Sequence, residues 1–205
     1  MKFSEIPQLI GGGAWEANYS LASVPKVLEE WKEESGLILN PDFQRGHVWT
    51  EAQQTAFMEY YLRGGRSGMV IFFNQPSWQY GQVTDGYDDF VCVDGLQRLT
   101  AIVRFMNNEI PAFGQLHDEF GESIRRAPNS SGLRLNVNSL QTREQVLTWY
   151  LQMNDGGTPH TAEEIGRVRG LLDAERSKSK AIGQVKETLV LPELATKKSS
   201  KKSNC

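Results

Sequence analysis

Phe90-Val-Cys-Val-Asp-Gly-Leu-Gln-Arg-Leu-Thr-Ala-Ile-Val-Arg-Phe105 changes its hydrophobic period in the middle. The run up to Val93 is short, apolar and β-branched, the profile of a buried strand. From Leu99 onward Ile102, Val103 and Met106 recur at i, i+3, i+4, i+7, so a helix begins directly after Asp94-Gly95. Asp94 and Gly95 form the turn, and Gln97 and Arg98 stand at the helix opening. A helix N-terminus presents unpaired N–H groups and a partial positive charge, which suit a phosphate. Gly95 permits a positive φ or close backbone approach. Arg98 can fork onto phosphate oxygens, and Gln97 can orient a water or a second oxygen. Asp94 is a candidate magnesium ligand or proton acceptor. The plainer alternative is a simple Asp-Gly turn with a surface arginine, an arrangement common in itself.

Working outward, Met69-Val-Ile-Phe-Phe73 predicts another buried strand, and Leu133 to Val137 alternates as a further one. Gln79 to Val83 and Phe90 to Asp94 flank a turn-rich stretch and read as a hairpin. Ser23 and Pro25 open a helix carrying Val24, Val27, Leu28 and Trp31 that Gly36 ends. Thr50 and Glu51 open a second, with Phe57/Tyr61 and Met58/Leu62 at i,i+4 and a stop at Gly64-Gly65. Thr142 caps a helix through about Met153, and Thr161 caps another over AEEIGRVRGLLDAER. Residues 114–132 read as polar and irregular. Short strands interleaved with helices, without an internal repeat, give an α/β or α+β domain, with α+β the expected class, a small mixed sheet covered by helices. The expected limits are a loosely packed Gly-rich lead-in over 1–20, the domain over 21–190, and a disordered basic tail over 191–205.

The 205 residues carry a net charge of −3, but the last ten, TKKSSKKSNC, contain four lysines and no acid. Setting those four aside takes the charge from −3 to −7 for residues 1–195. An acidic body is a poor broad phosphate-neutralising surface for DNA. Two cysteines, Cys92 and Cys205, make neither a disulfide framework nor a metal site. His47, His117 and His160 lack ligand spacing. No apolar stretch reaches the roughly 18–20 residues of a membrane span, and MKFSEIPQLIGGG lacks a basic n-region with an apolar run. A soluble, cytoplasmic protein with no membrane partner is the expectation.

Two further clusters bear on function. NPDFQRGHVW joins Gln44 and Arg45 to Trp49 in a loop before the second helix, so two Gln-Arg pairs each adjoin a helix start. QMNDGGTPHTAEEI places Asn154 and two glycines between helices, where an ordinary C-cap followed by an N-cap is the simple reading.

Asn40-Pro-Asp-Phe-Gln-Arg45 with Val48-Trp49, then Val93-Asp-Gly-Leu-Gln-Arg-Leu-Thr100, then Met153-Asn-Asp-Gly-Gly157 with Glu164-Ile165, come in order. Together they resemble the N-terminal nucleotide-processing domain of GmrSD-type modification-dependent restriction enzymes, over about residues 20–170. The resemblance implies a ParB/sulfiredoxin-like fold and a nucleoside-triphosphate site, with ATP, GTP, CTP and UTP equally open and Mg2+ as an accompanying ion. It implies catalytic roles for Asp94, Gln97 and Arg98. It implies nucleotide or phosphate binding by Gln44, Arg45, Gly95, Thr100, Asn154 and Gly156. The activity implied is phosphoryl transfer linked to DNA modification or phage defence: an NTPase, or a kinase acting on a hydroxylated DNA base or a protein hydroxyl. Partners implied are modified DNA and a separate nuclease or modification-system protein. A non-catalytic module binding nucleotide, DNA or protein is the alternative.

Leu96 replaces a glutamine of the family motif, and His47 stands where a tyrosine is usual. Leu96 also occupies the place of the reactive sulfiredoxin cysteine, so peroxiredoxin repair is not expected. The chain holds no His-Asn-His nuclease arrangement, and DNA cleavage by it alone is not expected.

Overall fold

Asp94-Gly95 does turn a strand into a helix, and the sheet and helices assemble around that turn. The computed structural model describes residues 6, 15–78, 83, 86–127, 132–154 and 162–190. The strands are β1 (Trp15–Tyr19), β2 (Val70–Asn74), β3 (Val91–Asp94) and β4 (Leu133–Asn138). The helices are α1 (Val24–Ser35), α2 (Glu51–Leu62), α3 (Leu96–Met106), α4 (Arg143–Asn154) and α5 (Ala162–Val190). The sheet order is β1-β4-β2-β3, with β4 and β2 parallel and the outer pairs antiparallel. The fold is therefore α+β, a small mixed sheet with helices on both faces.

Alternation along the strands explains the layers. Leu133, Leu135 and Val137 of β4, with Ile71 and Phe73 of β2, are fully buried on one face. They share a core with Val24 and Leu28 of α1, Met58 and Tyr61 of α2, and Leu99, Ile102 and Phe105 of α3. Trp31 anchors that core, its ring centroid 5.2 Å from Phe73 and 5.4 Å from Trp78. The opposite face sends Val91 and Val93 of β3 against Val146, Leu147 and Trp149 of α4 and Val168 and Leu172 of α5.

The helix boundaries follow their capping chemistry. Thr50 and Gln53 form a reciprocal capping box at the start of α2. Thr142 Oγ1 accepts from Gln145 N (3.2 Å) at the start of α4. Gly36, at φ 69°, closes α1 in the left-handed conformation. Ser23 occupies the α1 cap position without capping, because its hydroxyl donates to Ser20 O (2.9 Å).

Four expectations need correction. Residues 15–19, read as part of a loose lead-in, form an edge strand paired with β4. Trp15, Ala17 and Tyr19 alternate with Glu16 and Asn18, a period of two hidden by the preceding glycines and by weak strand formers. The antiparallel partner of Val91–Asp94 is β2 rather than residues 79–83. The other side of β3 is bridged in parallel by Ile38. Residues 79–82 lie outside the described residues. Within 114–132, His117–Arg126 folds into short 3-10 turns broken at Gly121, with Phe120 against Phe105 (6.1 Å). The last helix runs on past Arg176 to Val190. Thr161, the Gly-rich start of the lead-in and the basic tail with Cys205 fall outside the described residues. No described helix is long and apolar enough to cross a membrane.

Candidate functional site

The turn after β3 opens into a cleft of about 550 Å³. Its floor is Val70 and Phe72 of β2 with Val93 and Asp94 of β3, and one wall is the first turn of α3. Gln44, Arg45 and Trp49 enter from the loop before α2, and Tyr150, Met153 and Asn154 from the end of α4. Three segments far apart in the chain thus meet at one place. A volume of 300–1,000 Å³ with apolar walls and few polar groups is the usual form of a small-molecule site.

Gly95 makes the tight turn at φ 115°. A Cβ there would sit 2.5 Å from Ile71 Cδ1 and 2.8 Å from its Cγ2, so glycine is required on both counts. No side chain caps the helix that follows, and its opening residues Leu96, Gln97 and Arg98 line the cleft.

The polar side chains divide by what holds them. Arg98 Nη2 donates to Asp94 Oδ2 (2.5 Å), while Nη1 donates to Val70 O (2.8 Å) and Gly68 O. Its side chain is 15% exposed, so the fork that could have met a phosphate is largely committed to β2 and to Asp94. Gln97 Oε1 accepts from Val48 N (3.0 Å) and Trp49 N (3.1 Å), and its Nε2 donates to Gly46 O (2.6 Å). Both carbonyl lone pairs of that amide hold the neighbouring loop. Gln44 Nε2 donates to Cys92 O (2.6 Å). Arg45 meets Glu164 Oε2 of α5 at 3.5 Å, a long contact. Asn154 Nδ2 donates back to Tyr150 O (2.6 Å) within its own helix.

Of the residues expected at the site, Gln44, Arg45, Asp94, Gly95, Gln97, Arg98 and Asn154 line this one cleft. Thr100 does not; its hydroxyl donates to Leu96 O (2.8 Å) along the helix. Gly156 lies outside the described residues. Tyr150, Gly68 and Arg167 were not singled out by sequence. Arg167 of α5 donates to the consecutive carbonyls of Asp42, Phe43 and Gln44, the latter two at 2.9 Å. Within the run AEEIGRVRGLL it reads as one more helix-surface charge, and no sequence signal marks it. Tyr150 stacks edge-on against Phe43 (5.3 Å), and burial pushes its phenol up, with Arg45 opposing. Cys92 is fully buried, and burial together with Asp94 pushes its thiol well above the ordinary range, away from thiolate chemistry.

Among the described residues no three His, Cys, Asp or Glu side chains gather as a metal cluster. Asp94 is the one carboxylate among the described cleft-lining residues. That donor set fits magnesium only in its usual manner, on one or two carboxylates completed by substrate phosphates and water.

A family model described as "GmrSD restriction endonuclease, N-terminal domain" matches residues 27–169, a span that contains all the cleft-lining residues. No curated protein and no solved structure matches the chain.

Proposed function

The chain belongs to the GmrSD restriction endonuclease N-terminal domain family, and on that footing we propose that its cleft binds a nucleoside triphosphate and transfers the terminal phosphoryl group. The observation that carries the reading is the convergence, on one cleft, of Asp94, the uncapped start of α3 and Arg45. Phosphoryl transfer asks a protein chiefly for position and electrostatics. The helix start offers N–H groups and a partial positive charge to phosphate oxygens. Arg45, which among the described residues makes a long contact with Glu164, swings onto the phosphates and offsets their charge. Arg98 fixes the Asp94 carboxylate, and Asp94 takes the proton of the attacking hydroxyl or water. Where Mg2+ accompanies the nucleotide, Asp94 would hold the ion instead of taking the proton, and the ion would offset the phosphates' charge. With water as acceptor the protein is an NTPase. With a hydroxyl on a modified DNA base or on a protein it is a kinase. Modified DNA and a separate nuclease or modification protein are the partners this reading supplies, in restriction of foreign DNA.

The test is to incubate the protein with magnesium and each labelled triphosphate, with and without modified DNA, following phosphate release and label transfer. Asp94→Asn should lower turnover by about 10²-fold or more while binding persists. Label on DNA or protein selects kinase, and free phosphate selects NTPase. One observation favours a second reading, a nucleotide-binding module without turnover: Gln97 and Arg98 are committed to backbone, and Leu96 adds no polar group. Tight binding with no turnover of any triphosphate would select it.

A further inference from the structure

Trp49 lines the cleft one residue before the α2 cap, and both of its backbone polar groups are held by glutamine side chains. Its N–H donates to Gln97 Oε1 (3.1 Å), and its carbonyl accepts from Gln54 Nε2 (3.1 Å). Gln54 is 2% exposed, and its own Oε1 accepts from Arg104 Nη1 (2.8 Å). A buried amide is tolerated only when its donors and acceptors are satisfied, and a satisfied buried network rigidifies what it touches. Behind the indole, Phe57 packs with its ring centroid 5.6 Å away. The result is a half-buried tryptophan, its backbone held at both polar groups and its ring packed against Phe57, lining a cleft that also presents Arg45.

We propose that Trp49 is the stacking platform for the nucleobase, with Gln97 and Gln54 as its positioning residues. The inference rests on the triphosphate reading of the same cleft. A nucleotide joins a flat π-face to a polyanion, and the cleft pairs a rigid flat face with a cation and a helix start. Stacking uses the face of a base rather than its edge, so it accepts purines and pyrimidines alike. Fixing the ring beforehand lowers the ordering cost of binding. The Gln-Arg pair on α3 then acts partly at a distance: Gln97 shapes the base subsite through the Trp49 backbone.

Calorimetric titrations with a nucleoside triphosphate and with inorganic tripolyphosphate separate base from phosphate recognition. Trp49→Leu should weaken the nucleoside triphosphate by about five- to 150-fold and leave tripolyphosphate within about twofold. Trp49→Phe keeps an aromatic face and should recover most of the affinity, and thermal melts verify that each variant is folded. Gln97→Leu should weaken the nucleotide more than tripolyphosphate, and should add little when Trp49 is already Leu, because it acts through that ring. Equal losses for both ligands in Trp49→Leu, or no loss, would overturn the platform. Wild-type protein that binds neither ligand overturns the triphosphate reading as well, whereas wild type that binds both, with Trp49→Leu unchanged, overturns the platform alone.

Discussion

The chain contains two Gln-Arg pairs, Gln44-Arg45 and Gln97-Arg98, and the structure uses them in different ways. The glutamines brace each other's segments. Gln44 reaches the carbonyl of Cys92, two residues before Asp94, and Gln97 reaches the carbonyl of Gly46, one residue after Arg45, both at 2.6 Å. The arginines diverge. Arg98 is tied to two β2-side carbonyls and to Asp94, whereas Arg45, among the described residues, reaches Glu164 at a long 3.5 Å. Identical dipeptides thus divide into one arginine that builds the cleft and one that is available to fill it. The lesson is that a motif names the residue types of a site, while the hydrogen-bonding capacity that packing leaves over decides which of them could meet a ligand.

The seat of the second pair is where the contrast can be broken most severely. Gly95→Ala places a Cβ 2.5 Å from Ile71 Cδ1 at φ 115°. Strain and overpacking together should cost on the order of 3–5 kcal/mol, a fall in Tm of roughly 6–20 °C for a chain of this size. Thermal unfolding measures it. A melt unchanged by this substitution would mean that the turn has room to relax and that the α3 start is not fixed by Ile71.

Next in size, the two arginines should separate stability from binding. Arg98→Ala strips the Gly68 and Val70 carbonyls of a donor and leaves Asp94 unpaired, at a cost of about 2–4 kcal/mol. Arg45→Ala removes one ion pair whose side chains are about a quarter exposed, and its melt should stay within about 1 kcal/mol of wild type. Its triphosphate affinity should nevertheless fall about tenfold or more, the usual weight of a charge-assisted bond. Melting curves and titration calorimetry on the same preparations check both. A silent Arg98→Ala melt beside an unstable Arg45→Ala would invert the assignment.

Part of this was legible beforehand. The strand–turn–helix over Val91–Met106 announces itself because the hydrophobic period switches across Asp94-Gly95. The need for glycine follows from the same turn, and the two Gln-Arg pairs both fall on the cleft. The partners of those pairs were not legible. Gln97 bonds to a backbone 48 and 49 residues away, and Arg167 to carbonyls 123 to 125 residues away, contacts that exist only after packing. Thr100 shows the converse error: its place in the motif suggests a ligand, but helix geometry turns its hydroxyl back to Leu96. Strand β1 carries no such signal because Glu16, Ala17 and Asn18 have little strand preference, and pairing with β4 supplies what propensity lacks.

The smallest expected effect sharpens the comparison most finely. If Arg45 is the ligand-facing arginine, Glu164 competes with the triphosphate for it, since both are anions addressing one guanidinium. The contact is 3.5 Å and both side chains are about a quarter exposed, so water screens it and its net worth lies within about 1 kcal/mol. Glu164→Gln keeps the shape and the hydrogen-bonding reach but removes the competing charge. Triphosphate affinity should therefore rise, by no more than about fivefold, the equivalent of that 1 kcal/mol. Raising salt should narrow the gap between variant and wild type, because a screened pair competes less. Weaker binding in Glu164→Gln would mean that Glu164 orients Arg45 toward the ligand, so that the first pair, like the second, depends on a carboxylate to set its arginine.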